Sequence, residues 1–182
     1  MDTVEIASGR FVLRPCRDVD ADWVYRACQD PAIQRWTRVP TPYRLDDAVG
    51  YVTEHVSQSW ASGRAAPFGV FDALSGEGLG TVGLVSMDLP EGLAEVGYWV
   101  APWARRRGVA TVATLAVARW AFGELGVKRL TWLAEVGNTG SRAVAEHAGF
   151  TVEGVLRDRI RTRDGSRADA WIGSLLPSDL KS

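Results

Sequence analysis

The chain has 182 residues, 46% of them hydrophobic and 24% charged, with a formal net charge of −1. That length suits one domain with a real core, and the composition is that of an ordinary globular protein. A near-zero net charge provides no basic field to hold a polyanion, which argues against a general nucleic-acid binder, and no apolar run approaches the roughly 20 residues needed to cross a bilayer.

The N-terminus, Met1-Asp2-Thr3-Val4-Glu5, has neither the basic start nor the apolar stretch of a signal peptide. Cys16 and Cys28 have no metal or redox spacing and read as small buried hydrophobes. A cytoplasmic location is the expectation.

In chain order, Arg10 to Arg14 alternates and reads as a strand stopped by Pro15. Asp18 or Asp20 caps a helix that buries Val24, Ala27 and Cys28 and ends before Pro31. Residues 31 to 45, with three prolines, Trp36 and Tyr43, read as an irregular lip beside a substrate site. A second helix starts at Asp46 or Asp47, spaces Val49, Val52, Val56 and Trp60 along one face, and stops at Gly63. Three strands joined by short turns follow: Pro67 to Asp72, Leu79 to Ser86 and Leu93 to Val100. Gly80 and Gly83 inside the second imply a bulge or a close approach. Val109, Val112, Ala113, Ala116, Val117 and Trp120 have helical spacing. A strand from Lys128 to Glu135, a short helix from Asn138 to Gly149, and two strands joined through Asp164-Gly165 complete the chain. The order is that of an α/β domain with a mixed sheet.

Between the third of those strands and the long helix stands Arg105-Arg106-Arg107-Gly108-Val109-Ala110-Thr111. A strand, an Arg-Gly loop and a helix start offer an anion unpaired backbone amides, a close approach at Gly108 and fixed positive charge. The competing reading is a solvated basic patch. Arginines at a helix N-terminus oppose its dipole, however, which favours a bound anion.

Taken together, these residues resemble the GNAT acyltransferase family, and within it the RimJ/RimL-like branch, along nearly the whole chain. Arg105 to Ala110, preceded by Pro102, matches the family's Arg/Gln-x-x-Gly-x-Gly/Ala signature. Glu95-Val96-Gly97-Tyr98-Trp99-Val100 looks like the branch's central strand, Asn138, Ser141 and Gly149-Phe150 its later Asn-x-x-Ser…Gly-Phe pattern, and Asp164-Gly165 and Asp169 its closing hairpin. The resemblance implies a single GNAT domain over residues 1–182, a mostly antiparallel sheet splayed at its middle, and about four flanking helices. It also implies acetyl-CoA as co-substrate. Arg105, Arg106, Arg107, Gly108, Val109, Ala110 and Thr111 would hold the pyrophosphate, backbone at Trp99 and Val100 the pantetheine, and Asn138 and Ser141 further parts of CoA. A homodimer is left open. No metal is implied.

For the chemistry, attack by an amine on a thioester needs a proton removed, and Glu95, a carboxylate among apolar strand neighbours, is the candidate base. Its alternative is a strand-start ion pair. The resemblance points to Ser141 as the donor to the leaving sulfur; its alternative, shared with Asn138, is capping the helix. The chain has no tyrosine after Tyr98, which excludes a tyrosine acid from that later region. His55 and His147 read as packing or surface residues, Asp169 as facing the sheet interior or the cleft, and Trp36, Tyr43 and Trp103 as core or acceptor-pocket aromatics.

The expected activity is N-acetyl transfer to a primary amine, with a protein or peptide α-amine as the analogy within the branch. The alternatives are acetylation or succinylation of a small amine such as an amino acid, polyamine or aminoglycoside, and a CoA-binding sensor without turnover.

Overall fold

The computed structural model describes residues 1–180. It is an eight-stranded sheet in the order β1-β2-β3-β4-β5-β6-β8-β7. The strands are β1 (Ile6–Ser8), β2 (Phe11–Arg14), β3 (Ala66–Asp72), β4 (Gly78–Asp88), β5 (Leu93–Val100), β6 (Arg129–Glu135), β7 (Thr151–Arg161) and β8 (Arg167–Leu175). The helices are α1 (Ala21–Cys28), α2 (Pro31–Trp36), α3 (Leu45–Gly50), α4 (Val56–Ser62), α5 (Val109–Gly123) and α6 (Thr139–His147). Neighbouring strands pair antiparallel except β5 and β6, which run parallel across the α5 crossover.

The mixed sheet, its mostly antiparallel pairing and the chain order agree with the sequence reading. Three details correct it. A short strand, β1, pairs with β2 ahead of the expected start. Pro31 opens α2 rather than merely ending α1: Asp30 caps the new helix by accepting from the amides of Ala32 and Ile33 at 3.0 and 2.9 Å, and proline at the first turn removes an amide that has no intrahelical partner anyway. The second predicted helix is interrupted, α3 and α4 being joined through a π-helical turn at Tyr51–His55. That turn keeps Ala48, Val52, Val56 and Trp60 buried while Val49 is exposed.

The two faces of the sheet are covered differently. Val82, Leu84 and Val96 lie under α5 and are buried. On the opposite face Trp99 meets Trp23 of α1 at 6.0 Å between ring centroids. Trp60 of α4 packs on Phe68 and on Trp120 of α5, at 5.1 and 5.8 Å, and ties that helix to the core.

The feature that positions a site is where β5 and β6 part. Their ladder runs from Leu93↔Arg129 to Val96↔Trp132 and stops. Beyond it β5 stays paired with β4 as far as Gly80↔Val100, and β6 stays paired with β8 as far as Glu135↔Ala170. The two strands therefore diverge at the middle of the sheet, leaving backbone on β5 without a strand partner on that side. A bulge at Val85 of β4, opposite Val96 and Glu95, accompanies the divergence.

Candidate active site

The gap opens behind the start of α5. Pro102–Ala104 makes one tight turn, then Arg106 (φ 61°) and Gly108 (φ 72°) both take left-handed backbone just before the helix. For Gly108 this conformation carries no steric cost. Val112 N donates to Gly108 O, the first bond of α5, so the amides of Val109, Ala110 and Thr111 have no partner within the helix. No side chain caps this end, and its first turn holds no acidic residue. An uncapped N-terminus facing basic residues is a ready anion site.

The three arginines divide. Arg105 donates to both carboxylate oxygens of Asp30, at 3.2 and 2.6 Å, and this pairing holds Asp30 below the usual carboxylate range. Its guanidinium thus braces α2, and the expectation that it serves phosphate is corrected to that extent. Arg106 is exposed and makes no ion pair among the described residues. Arg107 stands 3.8 Å from Asp72, which already holds Arg10 at 2.7 Å. The side chains of Val109 and Ala110 are buried, so they offer a ligand their amides alone.

On β5 the backbone alternates. Ala101 N donates to Leu79 O across to β4, and a Cβ on Gly80 would lie 2.4 Å from Trp99 O. The polar groups of Trp99 therefore face β4, and those of Tyr98 and Val100 face the gap. Of the two backbone positions expected to meet the pantetheine, Val100 faces the gap and Trp99 faces β4 instead. The same contact explains Gly80: any side chain there would strike the backbone of β5.

Side chains alternate as well. Glu95 lies on the face of Trp99, and Tyr98 on the face of Val96, beneath α5 and α6. Glu95 is half-buried; loss of hydration raises its pKa above the ordinary value, and the charges of Arg159 and Arg38 oppose that rise in part. No ion pair at Glu95 occurs within 4 Å among the described residues, which removes the strand-start ion pair as its explanation. On the other face Tyr98 Oη donates to Ser141 O at 2.8 Å, Ser141 Oγ donates to Tyr98 Oη at 3.3 Å, and Trp132 Nε1 donates to Ser141 Oγ at 3.0 Å. Burial pushes the Tyr98 hydroxyl up to about 12. The sequence ruled out a tyrosine following Ser141 in the chain; the fold delivers one from the strand before the long helix. Strand alternation alone sets Tyr98 on the face opposite Glu95, but its partner 43 residues away carries no local signal.

Asn138 caps α6, accepting from Ser141 N at 3.2 Å, as its alternative reading held. Asp169 accepts from the amide of Asp158, which has left-handed backbone, at 2.9 Å, and so pins an irregularity of β7. His147 Nδ1 contacts Ala143 O at 2.6 Å, and His55 stacks on Tyr51. Tyr43 is buried and Trp36 partly exposed. Of the lip expected to be irregular from 31 to 45, only residues 37–44 are so; Pro31–Trp36 is helical and Leu45 opens α3. Arg163, at the β7–β8 turn, donates to the carbonyls of Gln34, Thr37 and Val39 at 2.7, 3.2 and 2.6 Å and holds that lip. Among the described residues no group of three or more His, Cys, Asp or Glu is arranged to hold a metal ion.

The family described as Acetyltransferase (GNAT) domain matches residues 10–151. The "Putative ribosomal N-acetyltransferase YdaF" of Bacillus subtilis (strain 168) is 38% identical over 97 residues, 53% of this chain and 52% of that protein; the match spans about half the length of that relative. The RimJ structure from Mycobacterium smegmatis in complex with CoA-disulfide superposes with a TM-score of 0.82 at 23% identity, covering 99% of this chain and 89% of that one. A structure of RimL, a ribosomal L7/L12 α-N-protein acetyltransferase, in complex with coenzyme A gives 0.83 at 18% identity, covering 95% and 98%.

Proposed function

The chain belongs to the GNAT family of acetyltransferases, and from that premise we propose that it transfers an acetyl group from acetyl-CoA to a primary amine, the α-amine of a protein or peptide being the favoured acceptor. The observation that carries this reading is the parting of β5 and β6 directly behind the uncapped start of α5. The first offers unpaired strand backbone to an amide-bearing arm, and the second offers amides to its phosphates.

In this reading the amides from Gly108 to Thr111 and the charge of Arg106 hold the pyrophosphate, and the gap-facing groups of Tyr98 and Val100 align the pantetheine. A thioester bound along the gap has the two faces of the sheet on either side. Glu95 serves the incoming amine on one, taking its proton directly or through water. Ser141 serves the departing sulfur on the other. Holding both reactants in one cleft supplies much of the rate. RimL and YdaF are named for ribosomal substrates, and this chain's acceptor is proposed by that analogy. A small amine carrying an anionic group is the second reading, supported by the exposed Arg38 and Arg159 near Glu95.

Purified protein, acetyl-CoA and a panel of peptide N-termini and small amines, read by thiol release, test the proposal. Release with a peptide amine is expected. CoA binding without release for any amine would leave a sensor module and overturn it.

A further inference from the structure

We propose that Tyr98 and Trp132 are positioning residues that hold the Ser141 hydroxyl ready to donate to the leaving sulfur; this rests on the acetyl-transfer reading above. The three side chains come from three elements, β5, β6 and α6, and they meet where β5 and β6 part: Trp132 belongs to the last paired rung, and Tyr98 lies two residues beyond it. The hydrogen-bond brace spans the mouth of the gap.

The proton count fixes the direction of every bond in the brace. Trp132 Nε1 can only donate, and it occupies one lone pair of Ser141 Oγ at 3.0 Å. The single Tyr98 proton is committed to the Ser141 carbonyl at 2.8 Å. The Ser141 proton therefore rests on Tyr98 Oη, at 3.3 Å. That distance is long for a bond between hydroxyls, so this is the weakest link of the three. Burial keeps Tyr98 protonated through the neutral range. A phenolate there would instead grip the Ser141 proton.

Ser141 is thus held by two firm bonds that leave its proton loosely placed. When the amine nitrogen has bonded to the thioester carbon and the carbon–sulfur bond breaks, the electron pair goes to sulfur. A thiolate is a stronger acceptor than a neutral phenol. The Ser141 hydroxyl turns about its Cβ–Oγ bond to donate to it, while Trp132 and Tyr98 keep their bonds to Ser141. No proton leaves Ser141, because an alkyl hydroxyl is a far weaker acid than a thiol. The thiolate takes its proton from water as CoA departs.

Two readouts test this. The thiol of bound CoA, followed by thiolate absorbance across pH, is expected to titrate below free CoA in the wild type. The shift is expected to vanish in Ser141→Ala, to shrink in Tyr98→Phe, and to persist in Ser141→Thr, which retains the hydroxyl. In turnover, Ser141→Ala is expected to lower kcat by roughly 10²-fold and Tyr98→Phe by about 10-fold, within and just below the range for removing a preorganised hydrogen-bond donor to developing charge. The double variant is expected to be no slower than Ser141→Ala, because Tyr98 acts only through Ser141. Multiplying losses, or a bound thiol that titrates identically in wild type and Tyr98→Phe, would overturn the proposal. Absence of turnover in the wild type would overturn the acetyl-transfer reading alone, since the titration of bound CoA needs no acceptor.

Discussion

Glu95 answers to two opposed demands. Burial between β4 and β6 costs its charged form hydration and raises its pKa, while Arg159 and Arg38 give part of that back. A base must be deprotonated to work, so the acidic limb of kcat/KM is expected above the ordinary carboxylate range. Glu95→Gln is expected to lower kcat/KM by roughly 10²- to 10⁴-fold near neutrality and to flatten that limb. The stability effect has the opposite sign. A carboxyl whose folded pKa lies above its unfolded one favours the folded state below the unfolded value and loses that contribution as pH rises through the folded one. Glu95→Gln should therefore melt at or above the wild-type temperature at neutral pH, with that advantage gone in acid; thermal melts at both pH values check it. Glu95 was legible in the sequence as a lone carboxylate in an apolar strand. The pairings of Tyr98 and Arg105 were not, because their partners, Ser141 and Asp30, stand 43 and 75 residues away.

The loop ahead of α5 stores strain in its shape. Gly108 at φ 72° has nothing within 4 Å of where a Cβ would stand, so Gly108→Ala meets backbone strain and no clash. A non-glycine residue in left-handed backbone costs about 1 kcal/mol, which for a chain of this size is a melting-point loss of roughly 2–4 °C. The distorted loop should also raise KM for acetyl-CoA. Arg106 is the informative contrast, since a non-glycine side chain already sits at φ 61°. Arg106→Gly is expected to raise the melting temperature by a similar amount while raising KM for acetyl-CoA several-fold. That pairing of gained stability and lost binding is what a strained functional residue predicts. The helix itself was plain from its apolar spacing, and Gly108 from its place before it. The π-helical turn at Tyr51–His55 was not, because the residue spacing there fits an uninterrupted helix equally well.

Across the whole molecule the proposed acceptor side is assembled from distant pieces. Arg163 at the last hairpin grips three carbonyls 124 to 129 residues earlier in the chain. Arg35 of α2 meets Glu135 at the end of β6 at 2.9 Å. These contacts hold the lip against the half of the sheet that swings away from β5. Arg163→Ala is expected to raise KM for the amine several-fold and leave KM for acetyl-CoA within twofold, because the arginine touches the lip and not the α5 start; initial rates with each substrate varied in turn decide this.

The sequence by itself determined most of the strand and helix order, the basic, glycine-hinged loop at residues 105–111 and the lone carboxylate of the central strand, because each is written in local spacing, in backbone freedom at glycine, or in a charge set among apolar neighbours. Only the tertiary structure decided which arginine stays free, which backbone groups face the gap, and that Tyr98, Trp132 and Ser141 form one brace. Those facts depend on where β5 and β6 stop pairing, and a ladder ends through the twist and packing of the whole sheet, which no stretch of residues encodes alone.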